Sequence, residues 1–420
     1  PQSPIPNPQS PIPNPQQKWL LKIINLNKIL TILIIIILFI YFKNMDSLNS
    51  KAPIIIDIGT STIKAGFGGT EKPSLIFQNI FGEMKYPKAG GLIKKDEKRE
   101  LIGNDCLKYM GVINIKYPLE HGIFKETDDI ETLLDYIYTN LDINLSEIKE
   151  HPVLIAEPLL NPKENRQNIA KVLFDTHKIE YLFFASQPVL SLYSTSSASG
   201  AVLESGEGVT QSCIIYDGYL IPNSNKRINL GGKDVTEYLQ YLLNLKGYEL
   251  NNSDGFYITK KIKEEIGEVS IDENISNNKD INKKYILPDD NEIDIGEERF
   301  LASELLFNPM LKEYEYPGLA QILSESINKT NVDLKKQLYN SILLCGGNMK
   351  MKGMKERIHK ELKKNAPKNI KVRLHTPSNP ENTAWIGANI ISSLDISKDM
   401  WISQKEWFET DASVINTRTI

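Results

Sequence analysis

Asp57-Ile58-Gly59-Thr60-Ser61-Thr62-Ile63-Lys64-Ala65-Gly66-Phe67 is the stretch that decides how this chain is read. It follows an apolar run over residues 53–56, so it reads as a buried strand entering the turn of a β-hairpin that opens towards a ligand. Gly59 lets main-chain N–H groups come close to an anion, and the hydroxyls of Thr60 and Ser61 add donors. Asp57 leads the turn with a carboxylate, and Lys64 can reach a phosphate oxygen as a point charge.

A second stretch, Glu204-Ser205-Gly206-Glu207-Gly208-Val209-Thr210, is built the same way behind the apolar residues 201–203. Two such turns facing each other would clamp a polyphosphate from both sides. Magnesium prefers oxygen ligands, keeps several waters and is usually held by one or two carboxylates with substrate phosphates, which suits Asp57 and Glu204. A third element, Leu344-Cys345-Gly346-Gly347-Asn348, lies between a strand-like run and a helical pattern, and its paired glycines would let a flat adenosine lie against the backbone. One glycine turn alone is weak; three in this order and at this spacing point to a nucleotide site.

From about residue 53 to the C-terminus the chain resembles actin and the actin-related proteins. The resemblance rests on Lys64-Ala65-Gly66-Phe67, Ile115-Lys116-Tyr117-Pro118-Leu119-Glu120-His121-Gly122-Ile123, His151-Pro152-Val153-Leu154 and Asn161-Pro162-Lys163. It continues through Gln187-Pro188-Val189-Leu190-Ser191-Leu192-Tyr193, Leu287-Pro288-Asp289, Ile295-Gly296 with Glu298-Arg299-Phe300, Trp385-Ile386-Gly387 and Met400-Trp401-Ile402-Ser403. Conventional actin and centractin, the actin-related subunit of the dynactin filament, look nearest. Ala366-Pro367-Lys368-Asn369-Ile370-Lys371-Val372-Arg373 is more similar to centractin.

The resemblance implies an α/β, two-lobed actin-like ATPase fold: two related α/β domains, each a mixed sheet flanked by helices, with ATP and Mg2+ in the cleft between. The first lobe would take residues 45–194 and 384–420, with a mobile loop near 82–103 that grips the next subunit. The second would take 195–383, with a flexible polar excursion at 272–282. Asp57, Gly59, Thr60, Ser61 and Lys64 would hold the phosphates and the metal shell from one lobe, and Ser205, Gly206, Glu207, Gly208 and Val209 from the other. Asp57 and Glu204 would bind the metal through water. Gln187 matches the glutamine that positions the attacking water, with Glu204 and Gln211 beside it. Gly232 counts among the nucleotide-binding positions, while Lys260, Lys263, Glu264, Gly346, Gly347 and Met349 match the adenosine and ribose end. His121 reads as a hydrogen-bonded structural histidine, although in actins the matching residue can be methylated.

Several positions depart from the family pattern. Glu204 and Glu207 stand where aspartates are usual, and the extra methylene pushes each carboxylate about an ångström outward, a displacement that can cost ~10²-fold in rate. Gln211 stands in place of a histidine, Ser61 of a glycine, Lys260 of an arginine, and Glu381 and Asn382 of a lysine and a tyrosine beside the adenine. The implied function is an ATP-binding cytoskeletal protein of the cytoplasm that assembles with itself or with other actin-family subunits, its hydrolysis slow or altered. Actin-binding or dynactin-type proteins would be its partners. The alternative is a non-polymerising scaffold subunit of a larger complex, such as dynactin or a chromatin complex. A metabolic kinase of the same superfamily is the third possibility, and residues 116–123 and 385–403 argue against it.

Composition agrees with a globular protein: 41% hydrophobic and 24% charged residues, in a chain long enough for two lobes. A formal net charge of -4 implies no basic face and argues against nucleic acid as a direct partner. Cys106, Cys213 and Cys345 have neither metal nor disulfide spacing, which suits a reducing compartment. Apolar Ile130, Leu133, Leu134, Ile137 and Leu141 predict a helix over 128–141, and Met354, Ile358 and Leu362 mark another buried stripe. Residues 1–14 are the heptapeptide PQSPIPN written twice, expected to stay extended. In residues 18–44 all but Trp19 and Thr31 are of types that AT-rich codons specify, which favours Met45 as the true start. The other reading is a signal or anchor, but the uncharged run 29–42 is shorter than the ~20 residues a spanning helix needs.

Overall fold

The computed structural model describes residues 51–85, 101–144, 146–251, 253–272, 281–394 and 399–418. Residues 1–44, most of the expected loop at 82–103 and most of the expected excursion at 272–282 lie outside the described residues. Among those described, no helix is long and apolar enough to cross a membrane.

Strand Ile54–Ile58 is buried along its whole length, so it reads as an unbroken apolar run with Asp57 as its one charged member. It pairs antiparallel with Thr62–Phe67 and parallel with Val153–Glu157. Tyr181–Ser186, Ile402–Ser403 and Leu75–Gln78 complete a six-stranded mixed sheet. A second sheet repeats the plan. Gly200–Ser205 pairs antiparallel with Thr210–Tyr216 and parallel with Ile342–Cys345, extended by Leu374–His375, Tyr219–Leu220 and Lys226–Ile228. Asp57 and Glu204 occupy the same place in this plan, each one residue before the end of its strand and each with a parallel partner, Ala156 or Cys345.

Each sheet carries its own core. Helix Thr127–Asn140 buries Ile130, Leu133, Leu134 and Ile137 on the first, in the predicted stripe. Helix Met354–Asn365 buries Met354, Ile358 and Leu362 on the second, alongside Leu319–Asn328. At ~1.5–3 kcal/mol for each fully buried large aliphatic side chain, these clusters hold the two lobes together independently.

Helix Gln187–Tyr193 joins the two. Leu190 packs with Ile55, Phe183 and Trp385, while Val189 and Leu192 pack with Val202, Cys213 and Leu343 of the second sheet. Helix Thr383–Ser392 crosses it so closely that a Cβ on Gly387 would lie 1.7 Å from the Leu190 carbonyl oxygen. A buried hydrogen bond between the Ser191 and Thr383 hydroxyls, 2.9 Å, fastens the crossing.

Candidate functional site

Both hairpins end in the same cleft. In the first, Lys64 stands directly across the strand pair from Asp57, and its Nζ donates to Asp57 Oδ2 at 2.9 Å with both groups buried. Gln187 opens the helix that joins the lobes, and its Nε2 donates to Asp57 Oδ1 at 2.8 Å. Gln211 Nε2 donates to Gln187 Oε1 at 3.4 Å and to Glu204 Oε2 at 3.1 Å, while the Leu159 N–H donates to Gln211 Oε1. One hydrogen-bonded chain therefore runs Lys64, Asp57, Gln187, Gln211, Glu204 across the cleft floor. Burial, with the nearby Asp57 carboxylate, pushes the Glu204 carboxyl up to about 8 against the opposing pull of Lys64 and Gln211.

The two turns meet above that floor. A Cβ on Gly208 would lie 2.4 Å from Thr60 Oγ1, so only glycine allows this approach. Thr60 Oγ1 also accepts from the Gly122 N–H at 3.1 Å, and His121 Nδ1 donates to the Gly208 carbonyl at 2.7 Å. His121 thus ties a first-lobe turn to the second hairpin, with its own carbonyl held by Arg227. Ser205 turns inward: its hydroxyl is fully buried between Thr210 and the Asn348 side-chain amide.

Glu207 points away from the floor. Lys260 Nζ lies 3.5 Å from its Oε1 and Lys263 Nζ lies 3.3 Å from its Oε2. Burial works to raise this carboxyl, but the two ammonium groups outweigh it and hold Glu207 below the usual carboxylate range. Lys260 also donates to Ser61 Oγ at 2.6 Å. Lys263 donates to the Gly232 carbonyl at 2.7 Å, and a Cβ on Gly232 would collide with Glu207. Lys260 bounds a small side pocket with Thr60, Ser61 and Tyr117 rather than the main cleft.

The main cleft encloses about 700 Å³, within the ordinary range for small-molecule sites. Besides the floor and the turns, it is lined by Val209, Lys263, Glu264, Gly346 and Gly347. Gly346 has φ of 90°, and a Cβ there would lie 2.3 Å from the Ser205 carbonyl oxygen, so this glycine brings the third turn against the second hairpin. Met349 is buried in the second core, and the neighbouring Lys350 and Met351 line the cleft instead. Sequence reading missed both, and it missed Asn348, whose Nδ2 donates to Ser205 Oγ and to the Gly206 carbonyl. Their signal was position alone, directly after the glycine pair.

A family model described as Actin matches residues 48–420. The chain belongs to the actin family. An actin-like protein of Neurospora crassa is 39% identical over 384 residues, covering 89% of this chain and 99% of its own length. For an actin-family chain, the cleft between the two sheets is where a nucleotide and a divalent metal are to be tested for fit. The residues do fit. Two glycine turns, the Lys64 ammonium and two carboxylates line one cavity, and a cation beside Glu204 would bring its raised carboxyl back down.

Proposed function

We propose that this actin-family chain binds Mg-ATP in the cleft and assembles into filaments, with slow hydrolysis. The observation that supports this best is the meeting of the two turns, Gly208 against Thr60, over a floor holding Asp57, Lys64 and Glu204. Asp57 and Glu204 would hold Mg2+ through water, and the ion would supply charge neutralisation for the phosphates. Lys64 would bind a phosphate oxygen, and the N–H groups of both turns would orient the chain of phosphates. Lys263, Glu264, Gly346 and Gly347 would enclose the nucleoside.

Slow hydrolysis follows from how Gln187 is held. Its Nε2 donates to Asp57 and its Oε1 accepts from Gln211, so the amide is fixed against the floor and a water would have to share Oε1 with Gln211 through its remaining lone pair. Glu204 and Glu207, each longer than aspartate, are drawn to Gln211 and to the lysines. The double variant Glu204→Asp with Glu207→Asp is expected to release phosphate from ATP ~10-fold faster or more, since misplacement by an ångström can cost ~10²-fold. An unchanged rate would remove this geometric account.

Calorimetric titration of the full chain with Mg-ATP tests the cleft, and absence of saturable binding would sink the proposal. Pelleting with electron microscopy tests assembly. Polymer in the pellet supports a filament subunit of the cytoskeleton, of conventional or centractin type. A nucleotide-bound protein that stays in the supernatant would instead favour the scaffold role in a dynactin-like or chromatin complex.

A further inference from the structure

Lys260 reaches from one lobe to the other. It lies on helix Ser253–Ile266 of the second lobe, is 8% exposed, and carries three N–H donors on its ammonium. Two of its partners belong to the first lobe: Ser61 Oγ accepts at 2.6 Å and Gln78 Oε1 at 3.4 Å. The third is Glu207 Oε1, 3.5 Å away on the second hairpin. Ser61 is itself fixed by main chain, since the Asn79 N–H donates to its carbonyl at 2.8 Å. One turn earlier on the same helix face, Phe256 meets the Tyr117 ring edge-on with centroids 5.9 Å apart, and near the helix start Asp254 lies 3.7 Å from Lys85. The void left along this seam is about 20 Å³, room for one water.

We infer that Lys260, Ser61 and Gln78 form a latch between the lobes that sets how fast a nucleotide enters and leaves the cleft. The inference rests on the reading of the cleft as a nucleotide site. Thr60, Ser61 and Glu207 border both the seam and the main cleft, so the seam closes one side of the cavity. Helix Gln187–Tyr193 joins the lobes, and parting them about it draws Ser61 and Gln78 away from Lys260. The ammonium keeps Glu207, which belongs to its own lobe, and loses two acceptors before water can replace them. Lys260 and Gln78 line the seam and not the main cleft, so the latch raises the barrier to opening without touching the nucleotide.

The test is stopped-flow fluorescence on the full chain with a ribose-labelled fluorescent ATP and magnesium, measuring association and then release into excess unlabelled Mg-ATP. Arrival and departure pass through the same opened state, so a weakened latch speeds both. The double variant Ser61→Ala with Gln78→Ala is expected to raise both rates ~10-fold or more, the size of one hydrogen bond to a charged group, with Kd within ~3-fold of native. Gln78→Ala alone is expected to move both rates the same way by a smaller factor, because its bond is the longer one. Unchanged rates overturn the latch. Faster release with native association also overturns it, since that result would make Ser61 a ligand of the phosphates; in both cases the cleft reading stands. Failure of the native chain to bind the labelled nucleotide saturably overturns both. Should thermal unfolding show that the double variant does not fold, Gln78→Ala decides.

Discussion

Lys64→Ala is expected to weaken Mg-ATP binding by ~30-fold or more and to destabilise the protein by about 3–5 kcal/mol. Both effects come from one side chain. Lys64 is 7% exposed and stands 2.9 Å from the equally buried Asp57, so its removal leaves a carboxylate in the interior with only the Gln187 amide as partner. Breaking a buried pair costs far more than the pair contributes net, because the remaining charge keeps its desolvation penalty. The same ammonium is the only positive charge that the first hairpin brings to the cleft floor among its described residues. Lys64→Arg is expected to recover part of the stability and less of the affinity, since the planar guanidinium does not replace a compact ammonium in a closed site. Chemical denaturation and calorimetry on the same preparations separate the two losses. Native affinity in a folded Lys64→Ala protein would remove Lys64 from the phosphate site.

Gly387→Ala is expected to cost about 3 kcal/mol or more, read as a fall of several degrees in Tm, together with weaker nucleotide binding. The added methyl would sit 1.7 Å from the Leu190 carbonyl oxygen, an atom of rigid helical backbone that cannot swing aside. The helices Gln187–Tyr193 and Thr383–Ser392 must therefore separate, and the first of them begins with Gln187. Shifting it loosens the hydrogen bonds that Gln187 makes to Asp57 and Gln211, which is why a core substitution reaches the cleft. Gly111→Ala is the control, because a methyl there meets nothing within 4 Å. A Gly387→Ala protein with native Tm would show that the crossing relaxes at no cost.

Much of the fold was legible in the chain. The run ahead of Asp57 is apolar enough to be buried on both faces, and the glycine turn after it has few alternatives to a hairpin. The helix over Thr127–Asn140 followed from its stripe of Ile130, Leu133, Leu134 and Ile137. Other features were hidden because their partners lie far away in sequence. Asp129, on that same helix, is buried and held by Lys116 at 2.8 Å, which a stripe of apolar residues does not announce. Met349 was read as facing a nucleoside, yet the short 3-10 turn Gly347–Lys350 rotates it into the core and turns Lys350 outward.

The departures from the family pattern show the same division. Taken singly, Ser61, Glu204, Glu207, Gln211 and Lys260 read as five separate losses. In the folded protein they answer one another: Lys260 bonds Ser61 and faces Glu207, and Gln211 bonds Glu204.

Local sequence determined the two carboxylate-led glycine turns, because steric freedom and apolar runs act over a few residues. Tertiary structure alone decided that both sheets repeat one strand plan, that Gly208 rests on Thr60, and that Gln187 is held at both ends. These contacts join residues more than twenty positions apart, and in most cases more than a hundred. They exist only once the two cores have packed around the helix between them.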